Sequence, residues 1–240
     1  MTTLSSVDTS RLAANLGSVR ARVAEAARRS GRDPGAVTLV AVTKRHPADS
    51  LRALVELGVA DLGENYPQEL WAKAEALAGL PVAWHHIGHL QGNKARRTLP
   101  LVRMLHGVDS LKLLLTLDEL AGPPGPTGPP AVCLQVNTSG EESKHGWTPE
   151  GLLDDADVIA GVRGVRVAGL MTIAGYDTDG DAARPCFVRL REARDRLREA
   201  TGLPLPDLSM GMSGDFEAAI AEGSTLVRVG SALFEGVGPG

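Results

Sequence analysis

A (β/α)8 TIM barrel preceded by one extra helix is the fold this sequence predicts, and three observations predict it. Eight short apolar runs rich in β-branched residues alternate with helix-like segments along the 240 residues, the pattern of parallel strands joined by helical crossovers. Small-residue turns bearing glycine and serine follow the last two runs, where barrels of this class commonly gather an anion. No internal linker interrupts the alternation, so the chain reads as one domain over 1–240. A doubly wound sheet of similar length fits the same alternation.

The first element is an amphipathic helix within residues 1–30, capped by Asp8 or Ser10 and running to about Arg29. Leu12, Leu16, Val19, Val23 and Ala26 recur along it at helical spacing. Strand candidates follow at 37–43, 59–63, 82–87, 102–108, 131–136, 165–173, 205–210 and 226–229. Helix candidates lie between them near 48–57, 66–78, 91–98, 109–120, 148–159, 182–200 and 214–222. The stretch 122–130 mimics collagen for three triplets. One short copy sustains no triple helix, so it reads as a stiff surface loop between helix and strand. The charged helix near 181–200 reads as a solvated one with internal pairs. Residues 236–240 read as a flexible tail.

Composition narrows the function classes. The chain is 43% hydrophobic and 22% charged, with a formal net charge of −4 and both signs interspersed. It lacks a basic stripe interleaved with aromatics, which argues against nucleic acid as a partner; the cluster at 94–97 reads as a solvated helix face. No apolar stretch reaches the roughly 20 residues of a membrane span. The first residues lack the basic and apolar regions of a signal peptide. Cys133 and Cys186 share no metal-type spacing and read as reduced thiols, Cys133 in a buried strand. Together these features predict a cytoplasmic protein.

Three strand ends carry the candidate chemistry. Lys44 closes the apolar run Val37–Thr38–Leu39–Val40–Ala41–Val42–Thr43, which places it at a carboxyl end, the ligand-binding end in α/β proteins. A lysine in a partly dry mouth attacks carbonyls as its neutral amine; the plain alternative is a strand-end lysine reaching for water. Ser213, in the turn Ser209–Met210–Gly211–Met212–Ser213–Gly214–Asp215, either caps the following helix or meets an anion, and Glu217 offers a local capping partner. Gly230 and Ser231 end the last strand and offer backbone N–H groups to phosphate oxygens. In a closed barrel the first and last strands are neighbours, so Lys44 and these turns face one mouth. A carbonyl-trapping lysine beside a phosphate cradle is what pyridoxal 5′-phosphate (PLP) requires. Asn65 and His89 each follow a strand, which puts them on the same mouth: Asn65 bonds the ligand region or Lys44, with an αL turn or helix cap as the lesser alternative, and His89 orients Asn65 or lines the pocket, or equally well starts a helix. Lys144 and His145 lie in a loop that either guards the mouth or simply connects. His85, His86 and His89 invite a zinc reading, but adjacent strand residues point to opposite faces, which separates the first two.

These residues resemble the YggS/PROSC-type pyridoxal phosphate homeostasis proteins over nearly the whole chain. The resemblance rests on Ala41–Val42–Thr43–Lys44, Gly63–Glu64–Asn65–Tyr66–Pro67–Gln68–Glu69, the run from Trp84 to Lys94, Gly169–Leu170–Met171–Thr172–Ile173, the Ser209 to Asp215 turn, and Val227–Arg228–Val229–Gly230–Ser231. That family is similar to the barrel domain of alanine racemase standing alone. The resemblance implies a cofactor site of Lys44, Asn65, His89, Met210, Ser213, Arg228, Gly230 and Ser231, with Lys44 in a Schiff base and Arg228 at the pyridine nitrogen. It implies a PLP-holding protein that buffers or delivers the cofactor, to PLP-dependent apo-enzymes among others, as a monomer. An arginine at that nitrogen is a donor only and supports carbanion chemistry poorly. Two racemase features are missing: the second, β-rich domain with its acid/base tyrosine, and a histidine in the 169–173 motif. Within the nearer family Thr43, Pro67 and His86 are mild departures. The alternative function is a single-domain PLP-dependent racemase; a Schiff-base aldolase acting on sugar phosphates, or a protein–protein regulator, stand further off.

Overall fold

The computed structural model describes residues 8–121, 128–141, 144–175 and 180–237, the Asp181 side chain aside. Most of the collagen-like stretch (122–127) and residues 238–240 lie outside them. Among the described residues eight strands form a closed barrel in chain order, every pair parallel. The order is α1 (Thr9–Arg29), β1 (Thr38–Val42), α2 (Ala48–Glu56), β2 (Asp61–Glu64), α3 (Pro67–Ala76), β3 (Ala83–His86), α4 (Gly92–Thr98), β4 (Met104–Val108) and α5 (Leu111–Ala121). It continues through β5 (Ala131–Gln135), α6 (Pro149–Asp154), α7 (Ala156–Gly161), β6 (Arg166–Met171), α8 (Gly180–Thr201), β7 (Asp207–Ser209), α9 (Phe216–Ala221), β8 (Leu226–Val229) and α10 (Ser231–Phe234). The sheet closes where β8 pairs with β1, Ala41 lying opposite Val229.

Strand periodicity sorts the apolar side chains into two layers. Ala41, Leu62, Leu105, Val132, Leu208 and Val227 face outward and pack with the helices. Val40, Met104, Ala131, Cys133 and Leu226 face inward and fill the lower barrel. β6 breaks the alternation: Ala168 and Met171 both join the inner cluster, beside a register shift between Val132 and Cys133. Bulges of this kind re-aim side chains. Where β6 meets β7 the backbones touch at Gly169, whose Cβ would lie 1.8 Å from the Asp207 carbonyl oxygen.

Asp8 is the cap of α1, its carboxylate accepting from the Arg11 N–H at 2.9 Å. The apolar stripe of α1 lies against α9 and α10, outside the β1–β8 seam. Asn15 donates from α1 to the carbonyls of Leu233 and Glu235, 2.9 Å each. Val237 is buried in the outer core, so the flexible tail expected at 236–240 is held at least through this residue. The helix expected at 148–159 is broken at Asp155, whose carboxylate accepts from the Trp147 indole at 2.8 Å. α8 holds an internal pair, Arg194 with Asp195 at 2.8 Å, and also pairs outward: Arg184 (2.6 Å) and Arg191 both bind Glu222, the residue after α9. Among the described residues no helix is long and apolar enough to cross a membrane.

Candidate functional site

The carboxyl ends of β1 and β8 meet at one mouth. β1 stops at Val42, one residue earlier than the sequence pattern predicts, and Lys44 stands in a turn beyond it. Arg45 in that turn is left-handed, at φ 68°. Lys44 is exposed, not partly dry as expected, and makes no hydrogen bond or ion pair among the described residues. Gly230 lies directly beside Val42: a Cβ there would sit 3.2 Å from Val42 Cβ. The residues proposed from the two ends of the chain therefore share one end of the barrel.

Opposite Lys44, backbone donors converge on a hydroxyl. Ser213 Oγ accepts from the N–H groups of Gly230 and Ala232, both at 3.3 Å. It does not cap α9; Asp215 precedes that helix, and its carboxylate accepts from the Met212 N–H at 2.5 Å. Glu217 turns away to pair with Arg22 at 2.6 Å. Gly211 makes the turn possible, with φ 99° and no room for a Cβ beside Phe216 and Ala219. Bonds of 3.3 Å lie at the long end of the N–H···O range. The same donors, with the Ser213 hydroxyl turned to donate, fit an anionic oxygen better than a neutral one. Ser231 is exposed at the start of α10.

Arg228 rises from β8 into the barrel interior beneath the mouth, 4% exposed. It donates to Ser209 Oγ at 2.6 Å and to the Thr172 carbonyl at 2.9 Å. Burial lowers its pKa to about 10, with the nearby Asp215 opposing the shift, so it stays cationic at neutral pH.

Asn65 follows β2 and packs against the loop after β3, where a Cβ on Gly88 would collide with its backbone and side-chain oxygens. His89 is exposed, bonds Asp109 at 2.6 Å and stacks on His145. It touches the β5 loop rather than Asn65. Lys144 ties that loop to the end of β6, donating to the Ala174 carbonyl at 3.1 Å and pairing with Glu141 at 3.0 Å. Met210 departs from the expected site: its side chain is buried in the outer layer with Phe216 and Ala219, because its neighbour Ser209 takes the inward face. His85 points into the barrel and His86 to the opposite face of β3, which keeps the histidines apart.

Sequence reasoning missed three contributors. Glu64, fully buried, accepts from Thr43 Oγ1 (2.5 Å) and from Lys73 Nζ (2.7 Å), and Lys73 also donates to the Thr43 carbonyl. This braces the backbone immediately before Lys44. Burial raises the pKa of Glu64 while the Lys73 and Thr43 bonds pull it down. His106 reaches Ser209, and Ala232 shares the Ser213 hydroxyl. A histidine inside the apolar run 102–108 was the available signal for His106.

Known proteins resemble this chain along most of its length. The alanine racemase N-terminal domain family matches residues 7–237. The pyridoxal phosphate homeostasis protein of Pseudomonas aeruginosa is 45% identical over 225 residues, 94% of this chain and 95% of its own length. Its mouse counterpart is 41% identical, covering 91% and 84%. PipY of Synechococcus elongatus, solved with PLP bound, superposes with a TM-score of 0.81 at 36% identity, covering 93% of this chain and 99% of its own. The chain thus belongs to the alanine racemase N-terminal domain family, and within it to the pyridoxal phosphate homeostasis proteins.

Proposed function

We propose that this protein holds PLP reversibly at the mouth of its barrel and takes part in intracellular PLP homeostasis, buffering or delivering the cofactor without strong catalytic activity. One observation carries the reading: Lys44 and the Gly230 and Ala232 N–H donors leave the same barrel end from the paired strands β1 and β8, where those donors meet the Ser213 hydroxyl from the turn after β7. PLP supplies an aldehyde that condenses reversibly with a primary amine, and a phosphate ester. Lys44 offers the amine. Ser213, Gly230 and Ser231 hold the phosphate, with the Ala232 N–H beside them. Arg228 would face the ring nitrogen and, being a donor, would leave that nitrogen unprotonated. Asn65 and His89 line the other side; Met210, its backbone tied to Leu226 and Ser224, supports the turn that carries Ser213. The exposure of Lys44 suits a carrier, since water and acceptor amines reach the linkage. The family membership supports the same role. One cytoplasmic, monomeric domain handing cofactor to PLP-dependent apo-enzymes completes the proposal.

The test is an absorbance spectrum with added PLP, before and after borohydride, followed by mass mapping. A visible band that borohydride removes, with the label on Lys44, is expected. Full labelling of a Lys44→Ala protein would overturn the assignment. Rapid α-deuterium exchange of alanine would favour the racemase alternative.

A further inference from the structure

The barrel interior is not wholly apolar. Five side chains from five strands form an unbroken hydrogen-bonded line through it. Asp61 Oδ1 on β2 lies 2.9 Å from His85 Nε2 on β3. His85 Nδ1 lies 2.8 Å from His106 Nε2 on β4. His106 Nδ1 lies 2.6 Å from Ser209 Oγ on β7, which accepts from Arg228 on β8 at 2.6 Å. His85, His106, Ser209 and Arg228 are each less than a twentieth exposed. Asp61, a quarter exposed, opens onto a cavity of about 330 Å³ on the amino-terminal face. The line spans the barrel from that face to the mouth.

Its two ends have fixed polarity. A guanidinium only donates and a carboxylate only accepts. His106 is neutral, its pKa pushed well below the usual range by burial and then by His85, Arg228 and His86. Asp207 on β7 is a further charge that acts on His85. For an uncharged His85 beside the neutral His106, one arrangement satisfies every link. His85 donates from Nε2 to Asp61, so its Nδ1 accepts. His106 donates from Nε2 to His85, so its own Nδ1 accepts from the Ser209 hydroxyl. Ser209 then receives Arg228. All the hydrogens point from Arg228 toward Asp61.

We infer that His106, backed by His85 and Asp61, is a positioning residue for Arg228, and that the line is a one-way relay whose direction is set by Asp61 at the far end of the barrel. The relay exists without cofactor; its bearing on PLP rests on the function proposed above. Arg228 is anchored at two points, the Thr172 carbonyl and the Ser209 hydroxyl, and only the second can turn. The relay fixes which Ser209 lone pair is available and leaves the remaining guanidinium donors where the mouth needs them.

The test uses the full chain without cofactor, so failure of PLP to bind leaves it intact. Long-range proton–nitrogen correlation of nitrogen-15-labelled histidine at neutral pH should show His85 and His106 both as neutral Nε2–H tautomers. Asparagine either donates or accepts, so Asp61→Asn removes the imposed direction. His106 does not touch Asp61, yet its Nδ1 resonance should move toward the protonated value, and the Arg228 guanidinium hydrogens should exchange severalfold faster. In Ser209→Ala, which cuts the line, adding Asp61→Asn should leave Arg228 exchange unchanged. A native His106 that is Nδ1-protonated or doubly protonated overturns the relay, a result that needs no variant to fold. So does an Asp61→Asn protein with unmoved His106 and Arg228 signals.

Discussion

His86 is buried on the outer face of β3 with both ring nitrogens lacking a partner among the described residues. Burial, with a smaller push from His89, lowers its pKa from 6.5 to about 4. A group that binds its proton more weakly when folded adds stability at high pH. That contribution is complete above pH 6.5 and is lost as the pH falls through about 4, roughly 3 kcal/mol in all. His86→Phe should flatten the acid limb of a denaturant-derived stability profile and add about 1–3 kcal/mol at neutral pH, since unpaired buried polar atoms are costly. At the mouth, Ser213→Ala should weaken PLP binding by about tenfold, equivalent to about 1.4 kcal/mol, while borohydride still labels Lys44. Fluorescence titration measures the first effect and mass mapping the second. Lys44, Ser213, Gly230 and Ser231 were legible in the sequence because each sits at a strand end and announces itself locally. His85, His106, Ser209 and Arg228 were not legible as a set. They come from four strands, and only the register of the closed sheet says that they face one another.

At the scale of elements, strand and helix order could be read because the apolar periods differ clearly, two residues against three to four. Boundaries and breaks could not. The split between α6 and α7 depends on Asp155 finding the Trp147 indole, a contact formed only when the loop folds back. The outward partners of α8 stayed hidden for a related reason: arginines spaced along a helix do not reveal that Glu222, beyond the next strand, collects two of them. Glu222→Ala should loosen the α8–α9 junction by about 1 kcal/mol, a modest loss because Arg184 and Arg191 are both well solvated. The difference from the parent in urea midpoint should shrink as salt is raised.

For the whole molecule, the barrel and its mouth followed from alternation and from small residues after the last two strands, since closure makes the ends of β1 and β8 neighbours. Binding to the folded state alone shifts unfolding by mass action. PLP at a hundred times its Kd should stabilise the protein by about 2.7 kcal/mol, about 5–10 °C in Tm for a chain of this length. Lys44→Ala at the same PLP concentration should show a much smaller rise in a thermal scan.

The seam between β1 and β8, with α1 laid across its outside, also dictates when the molecule can mature during its synthesis. The strand that emerges first from the ribosome pairs with the one that emerges last, so β1 keeps an open hydrogen-bonding edge through nearly all of translation. Leu12, Leu16, Val19 and Val23 of α1 likewise await α9 and α10. A nascent chain stalled before β8 should stay protease-sensitive throughout, and resistance should arrive in a single step once that strand clears the exit tunnel.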